Sequence, residues 1–133
     1  MKILFVCRGN VGRSQMAEAF YNHYTKSRNA FSAGVIKKAP KLYPKLPAQI
    51  LETMKEKDID VIRQKVKLLT TKMVLKADKI FVICSKNLLP NYVLNSKKVK
   101  YWKIKDPVKM NLTDTRKVRN DIERRIKSLI EQK

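Results

Sequence analysis

This sequence predicts an α/β fold, a four-stranded parallel sheet with helices on both faces, on three observations. Short apolar runs rich in β-branched residues alternate with segments whose apolar residues recur every three or four positions. The first run passes through residues 7–13 into a helical pattern, as the opening of a βα unit does. The chain has 133 residues, 44% of them hydrophobic and 32% charged, enough for one soluble domain with a real core.

The elements follow in order. Residues 2–6 are a short apolar run and read as a buried strand. Residues 14–27 read as a helix, with Met16, Ala17, Phe20 and Tyr24 on one stripe and Ser14 placed to cap it. Residues 30–33, closed by Gly34, are the second strand. Residues 36–47 hold three prolines, Pro40, Pro44 and Pro47, among lysines and read as a surface loop. Residues 48–57 form a helix with Ile50, Leu51 and Met54 inward, and residues 68–76 a further one. Residues 79–84, "KIFVIC", are the plainest strand, and residues 98–103, "KVKYWK", the fourth. In this last strand either Tyr101 or Trp102 packs inward. Residues 113–132 are the last helix, striped by Val118, Ile122, Ile126 and Leu129 and capped by Thr113 or Asp114. Crossovers between parallel strands are right-handed, and such sheets bind ligands beyond the carboxyl ends of their strands. No repeat or linker divides residues 1–133.

Composition narrows the function. No apolar run reaches the roughly 18 residues of a membrane span, and no signal-peptide pattern follows the first strand, so a cytoplasmic protein with no membrane partner is expected. In that compartment Cys7 and Cys84 are thiols rather than a structural disulfide. His23, the single histidine, sits among polar neighbours, so neither a metal nor another cofactor is expected. The 31 basic residues against 11 acidic ones give a net charge of +20, spread along the chain. That charge suits a solvated surface or the attraction of anions. No zinc-finger spacing or aromatic-interleaved RNA motif accompanies it.

The chemistry concentrates in "CRGNVGRS", Cys7 to Ser14. Gly9 and Gly12 permit positive φ and close approach of the backbone to a ligand, and Asn10 tolerates a left-handed turn. With Arg8 and Val11, these residues form a loop whose N–H groups turn inward at a helix N-terminus. Such a nest suits a tetrahedral oxyanion. The planar guanidinium of Arg13 suits two oxygens of a phosphate. The same positive surroundings favour the thiolate of Cys7, and Ser14 adds a hydrogen bond to its sulfur. A cysteine at a strand end is often just a small buried hydrophobe. The Cys-x5-Arg-Ser spacing between strand and helix sets this one apart, as a nucleophile under a bound phosphorus.

The stretch "VCRGNVGRSQMAEAF" resembles the signature loop of the low-molecular-weight protein tyrosine phosphatases and of the arsenate reductases that share their fold. "FSAG", "KADKIFVIC" and "KIKDP" resemble later segments of the same family, so the likeness spans essentially the whole chain. The resemblance implies a four-stranded parallel sheet and catalysis in two steps through a phosphocysteine on Cys7. It gives Asp106 the role of general acid and then base, which is chemically apt because a carboxyl beside a bound dianion is favoured in its protonated form. The chain departs from the family phosphatases at Gly12, where many have a second cysteine, and at Gln15, where many have proline. After Asp106–Pro107 it has Val108, Lys109 and Met110 in place of the usual aromatics. "VICS" resembles the segment in which thioredoxin-linked arsenate reductases hold a redox cysteine, though the third cysteine of those enzymes is absent. Cys84 is otherwise a buried strand residue.

The resulting expectation is a phosphomonoester phosphatase acting on a phosphorylated protein or small molecule. Cys7, Arg13 and Asp106 are catalytic, and Arg8, Gly9, Asn10, Val11, Gly12, Arg13 and Ser14 bind substrate. The alternatives are an arsenate reductase, using Cys7 with Cys84 or an external thiol such as thioredoxin, and a non-catalytic oxyanion- or nucleic-acid-binding module.

Overall fold

Residue parity along the strands builds two cores in the computed structural model, which describes residues 1–107 and 109–132. In β1, Ile3–Cys7, every side chain is buried. Ile3, Phe5 and Cys7 face one side of the sheet, Leu4 and Val6 the other. The partners follow by register: Phe5 lies opposite Phe81 and Ser32, Val6 opposite Val82 and Ala33. The sheet contains β2, Ala30–Gly34, β3, Lys79–Val82, and β4, Val99–Tyr101. All four strands are parallel, in the order β2-β1-β3-β4. The chain leaves β1 toward one edge and returns to its other side, so the topology switches at the carboxyl end of β1, where Cys7 sits.

The helices cover both faces. On the Phe5 side lie α1, Arg13–Thr25, α3, Ala48–Lys55, and α6, Leu112–Glu131, with Met16, Phe20, Ile50, Met54, Ile122 and Ile126 fully buried. Phe5 stacks on Phe81 at 5.7 Å, and Trp102 lies 4.5 Å from Phe81, so Trp102 is the residue of its pair that packs inward, while Tyr101 is exposed. On the Val6 side lie α4, Thr71–Lys76, and α5, Asn91–Leu94, with Val74 and Val93 inward.

Several expected boundaries move, each for a local reason. Residues 36–47 are not only loop: Ala39–Leu42 makes a helical turn, α2, which accepts Pro40 because the first turn needs no backbone donor there. Leu68 does not begin a helix, since it bridges Gly34 as an extended strand mate, and the helix waits for Thr70, whose side chain caps it. α5 and the 3-10 turn Lys86–Leu88 lie where no helix was expected. α6 is capped by Asn111, whose Oδ1 accepts from the Asp114 N–H at 2.8 Å, not by Thr113 or Asp114. Ser14 does not cap α1. The cap position is Gly12, which has no side chain to make the bond, and the Ser14 hydroxyl is engaged with Cys7 instead.

Glu56, just past α3, ties that helix to α6. It takes both Nε and Nη2 of Arg116, and Nη1 of buried Arg119, which also donates to the Thr53 carbonyl at 2.8 Å. The hydrogen bonds from Arg116 and then Arg119 hold the Glu56 carboxyl down from an ordinary 4.5 to about 2. A carboxyl with a depressed folded-state value stabilises the fold above 4.5 and loses that contribution as pH falls toward 2. Urea melts across this window should therefore show a steeper acid decline for wild type than for Glu56→Gln, with the two curves converging at the acid end.

Candidate active site

The loop from Cys7 to Arg13 is shaped by Asn10. Its φ is +60°, and it is fully buried. A left-handed asparagine in a closed space needs every polar atom satisfied. The Lys67 backbone N–H donates to Asn10 Oδ1 at 2.8 Å, and since that group can only donate, it sets the orientation of the amide. The Nδ2 group then gives one hydrogen bond to Ser14 Oγ at 2.7 Å and one to Ser32 Oγ at 2.9 Å. Ser32, turned to this face by the β1–β2 register, passes its own proton to Glu18 at 2.7 Å. The Ser14 hydroxyl, whose oxygen accepts from Asn10, lies 2.9 Å from Cys7 Sγ, and to a thiolate there it can only donate. The Asn10 N–H reaches the same sulfur at 3.2 Å. Gln15 fastens the network from below, donating to Asn10 and to the Lys65 carbonyl, and Gln64 fastens Gln15.

Neither glycine of the loop has positive φ, against the sequence-based expectation, because Asn10 takes the left-handed position alone. Gly12 is needed for space. A Cβ on Gly12 would lie 2.9 Å from Pro107 Cγ, so the loop carrying Asp106 packs directly on the cradle. Among the described residues, the N–H groups of Gly9, Val11 and Gly12 donate to no protein acceptor. They are the free donors of an anion nest.

Arg13 is buried, and Nη1 is committed to the carbonyls of Ile83 at 2.7 Å and Ile104 at 3.0 Å. Nη2 lies 3.5 Å from the Asp106 carboxylate. Nε is buried with no protein partner. The guanidinium is thus held at Nη1 rather than presenting a free fork, and its Nε remains a donor that a ligand could satisfy. Cys7, Arg8, Gly9, Val11, Gly12, Arg13 and Asp106 line one cavity of about 270 Å³.

Of the expected substrate-binding residues, Arg8, Gly9, Val11, Gly12 and Arg13 come together with Cys7 and Asp106 in the cavity lining, whereas Asn10 and Ser14 are fully buried and shape the loop instead of lining the cavity. Cys84 does not line the cavity. It is half-buried just beyond β3, and burial, then the charge of Cys7, pushes its thiol up to about 11 against a weaker pull from Arg13. His23 is exposed on α1. Val108 lies outside the described residues. Sequence reasoning missed the second wall of the cavity, Ile36, Ala39, Leu42 and Tyr43, whose signal was an apolar pair inside a lysine- and proline-rich stretch. It also missed Ser32, Glu18 and Lys67, which nothing in their local sequence distinguishes.

A cysteine sulfur under a preformed anion nest, at the switch point of a parallel sheet, defines the class of proteins that act on tetrahedral oxyanions through a Cys-x5-Arg loop. Within that class the chain belongs to the low molecular weight phosphotyrosine protein phosphatase family, whose sequence model matches residues 2–133. Arsenate reductase 1 of Bacillus cereus is 33% identical over 132 residues, covering 97% of this chain and 93% of its own. A low molecular weight protein tyrosine phosphatase from T. tengcongensis superimposes with a TM-score of 0.84 at 25% identity, covering 100% of this chain and 99% of the other. An arsenate reductase from Archaeoglobus fulgidus does so with a TM-score of 0.77 at 29% identity, covering 98% and 100%. The family thus carries two activities by name.

Gly34 tests how tightly the loop is held. A Cβ there would lie 2.6 Å from the Gly9 carbonyl carbon and 2.7 Å from the Asn10 nitrogen, both backbone atoms that cannot step aside. Gly34→Ala should cost about 1–3 kcal/mol in urea unfolding. It should also weaken binding of inorganic phosphate, read by calorimetry, because the backbone that must move is the nest itself.

Proposed function

We propose that this chain is a cysteine-dependent phosphomonoester phosphatase working through a phosphocysteine. The observation that carries the reading is the buried, partnerless Nε of Arg13, in a residue that lines the same cavity as Cys7 and the Asp106 carboxylate. A buried donor left unmatched in the free protein is costly unless a ligand completes it. An equatorial oxygen of a phosphoryl group completes it. The thiolate of Cys7, oriented by Ser14 and the Asn10 N–H, attacks phosphorus in line, forming the S–P bond as the P–O bond to the leaving group breaks. Asp106 gives its proton to the departing oxygen. Water then attacks the phosphocysteine, Asp106 takes its proton, and phosphate leaves with the thiolate restored. The Gly9, Val11 and Gly12 N–H groups and the clamped guanidinium meet the charge without reorganising.

Arsenate reduction is the second reading, favoured by the names of the curated relatives and by the electrostatic reach between Cys7 and Cys84. In a relay the Cys84 thiolate attacks the Cys7 sulfur of a Cys7–arsenate adduct. The S–As bond breaks, arsenic gains two electrons as As(III), and a Cys7–Cys84 disulfide remains for an external thiol, such as thioredoxin, to reduce. A thiol pushed up to about 11 is a poor attacker at neutral pH, and the chain has two cysteines in all, which is why hydrolysis is preferred.

Cys7→Ser should abolish hydrolysis of an aryl phosphate while still binding inorganic phosphate. Asp106→Asn should slow hydrolysis by about 10²- to 10⁴-fold, with a smaller loss for better leaving groups. Near wild-type rates in Cys7→Ser would remove the covalent route.

Cys84→Ser separates the readings. Aryl phosphate turnover should stay within about threefold of wild type, since the thiol has no step in hydrolysis. Thiol-dependent arsenate turnover that stops after a single cycle in Cys84→Ser, beside negligible hydrolysis by wild type, would establish the reductase instead.

A further inference from the structure

The acids of this chain are not distributed evenly along it. Away from the cavity five of the acids form ion pairs: Glu18 with Lys67, Glu56 with Arg116 and Arg119, Asp114 with Lys117, Asp121 with Arg124 and Arg125, Glu123 with Lys57 and Lys127. Between Glu18 and Glu52 the sequence contains no acid at all, and this span supplies the α2 wall of the cavity. Lys38 and Lys41 adjoin Ala39 and Leu42 of that wall in sequence, and both are exposed without lining the cavity themselves. Arg8 and Lys109 line the cavity itself and are likewise exposed. Among the described residues none of these four cations forms an ion pair. The one acid lining the cavity, Asp106, lies 3.5 Å from Arg13.

The phosphoryl dianion is already met inside the cradle by backbone N–H groups and Arg13. The four outer cations come from three segments, Arg8 from the β1–α1 loop, Lys38 and Lys41 from the cap and body of α2, and Lys109 from the loop before α6, a spread that suits an extended ligand better than one compact anion. An extended chain bearing several carboxylates can.

Resting on the phosphatase reading, we propose that the natural substrate is a phosphorylated protein segment with acidic residues beside the phosphoresidue, read by Arg8, Lys38, Lys41 and Lys109 at the cavity mouth. Exposed pairs of this kind each contribute little and are screened by salt, so discrimination comes from several acting together. A segment with basic flanks meets like charge on every side and is rejected.

The experiment uses three phosphotyrosine peptides of equal length with acidic, neutral or basic flanks. Fluorescence anisotropy reads their binding to the Cys7→Ser chain, and steady-state kinetics reads turnover by wild type. The acidic peptide should bind about tenfold or more tighter than the neutral one at low ionic strength, the basic one weakest, and the preference should shrink severalfold at about 0.5 M salt. Lys38→Glu/Lys41→Glu, combined with Cys7→Ser, should erase the preference. In an otherwise wild-type chain the same pair should leave turnover of a small uncharged-ring aryl phosphate within about threefold. Equal binding of the three peptides, binding of none, or an acidic preference that survives the double variant overturns the proposal. A wild-type chain that hydrolyses no aryl phosphate, while Cys7→Ser keeps the acidic preference, overturns the phosphatase reading and supports the acidic partner.

Discussion

One buried side chain, Asn10, holds the rest of the site in place. Its left-handed backbone bends the loop around the Cys7 sulfur, and its amide cannot rotate because the Lys67 N–H fixes which end accepts. From that follow the direction of the Ser14 hydroxyl, the pairing of Ser32 with Glu18, and the placement of an N–H against the sulfur. A buried network of this kind is costly when one member is left unmatched, so it holds a single arrangement. The loop is therefore shaped before any ligand arrives, and the ordering is supplied by folding rather than by binding.

The same economy governs Arg13. Two backbone carbonyls, from the ends of two different strand connections, immobilise one edge of the guanidinium. What remains is a buried donor without a protein partner, beside a carboxyl on a loop seated against Gly12 by Pro107. Phosphoryl transfer asks little more of a protein than position and electrostatics. Arsenate chemistry on the same cradle asks for one thing besides, a second thiol able to ionise. Cys84 stands close enough to feel Cys7 but in surroundings that keep it protonated.

Much of this was readable from the chain. The strand–loop–helix at Cys7 to Ser14 carries its own chemistry, because the residues that make the nest are consecutive and their spacing is the geometry. The alternating strands gave the sheet, since parity alone decides which face each side chain joins. The shifted boundaries are the places where a local rule met a tertiary partner: Leu68 gave up a helical start to pair with Gly34, and Ser14 gave up its cap to reach the sulfur.

The sequence by itself determined the Cys7–Ser14 strand–loop–helix, the parallel sheet and the two-faced core, all of them products of neighbours in the chain or of strand period. Only the tertiary structure decided that Lys67, fifty-seven positions away, orients Asn10, that Arg13 is clamped rather than free, and that Ala39 and Leu42 of α2 wall the cavity. Those decisions need groups distant in sequence to meet, and burial, which sets how strongly they interact, exists only once the chain has folded.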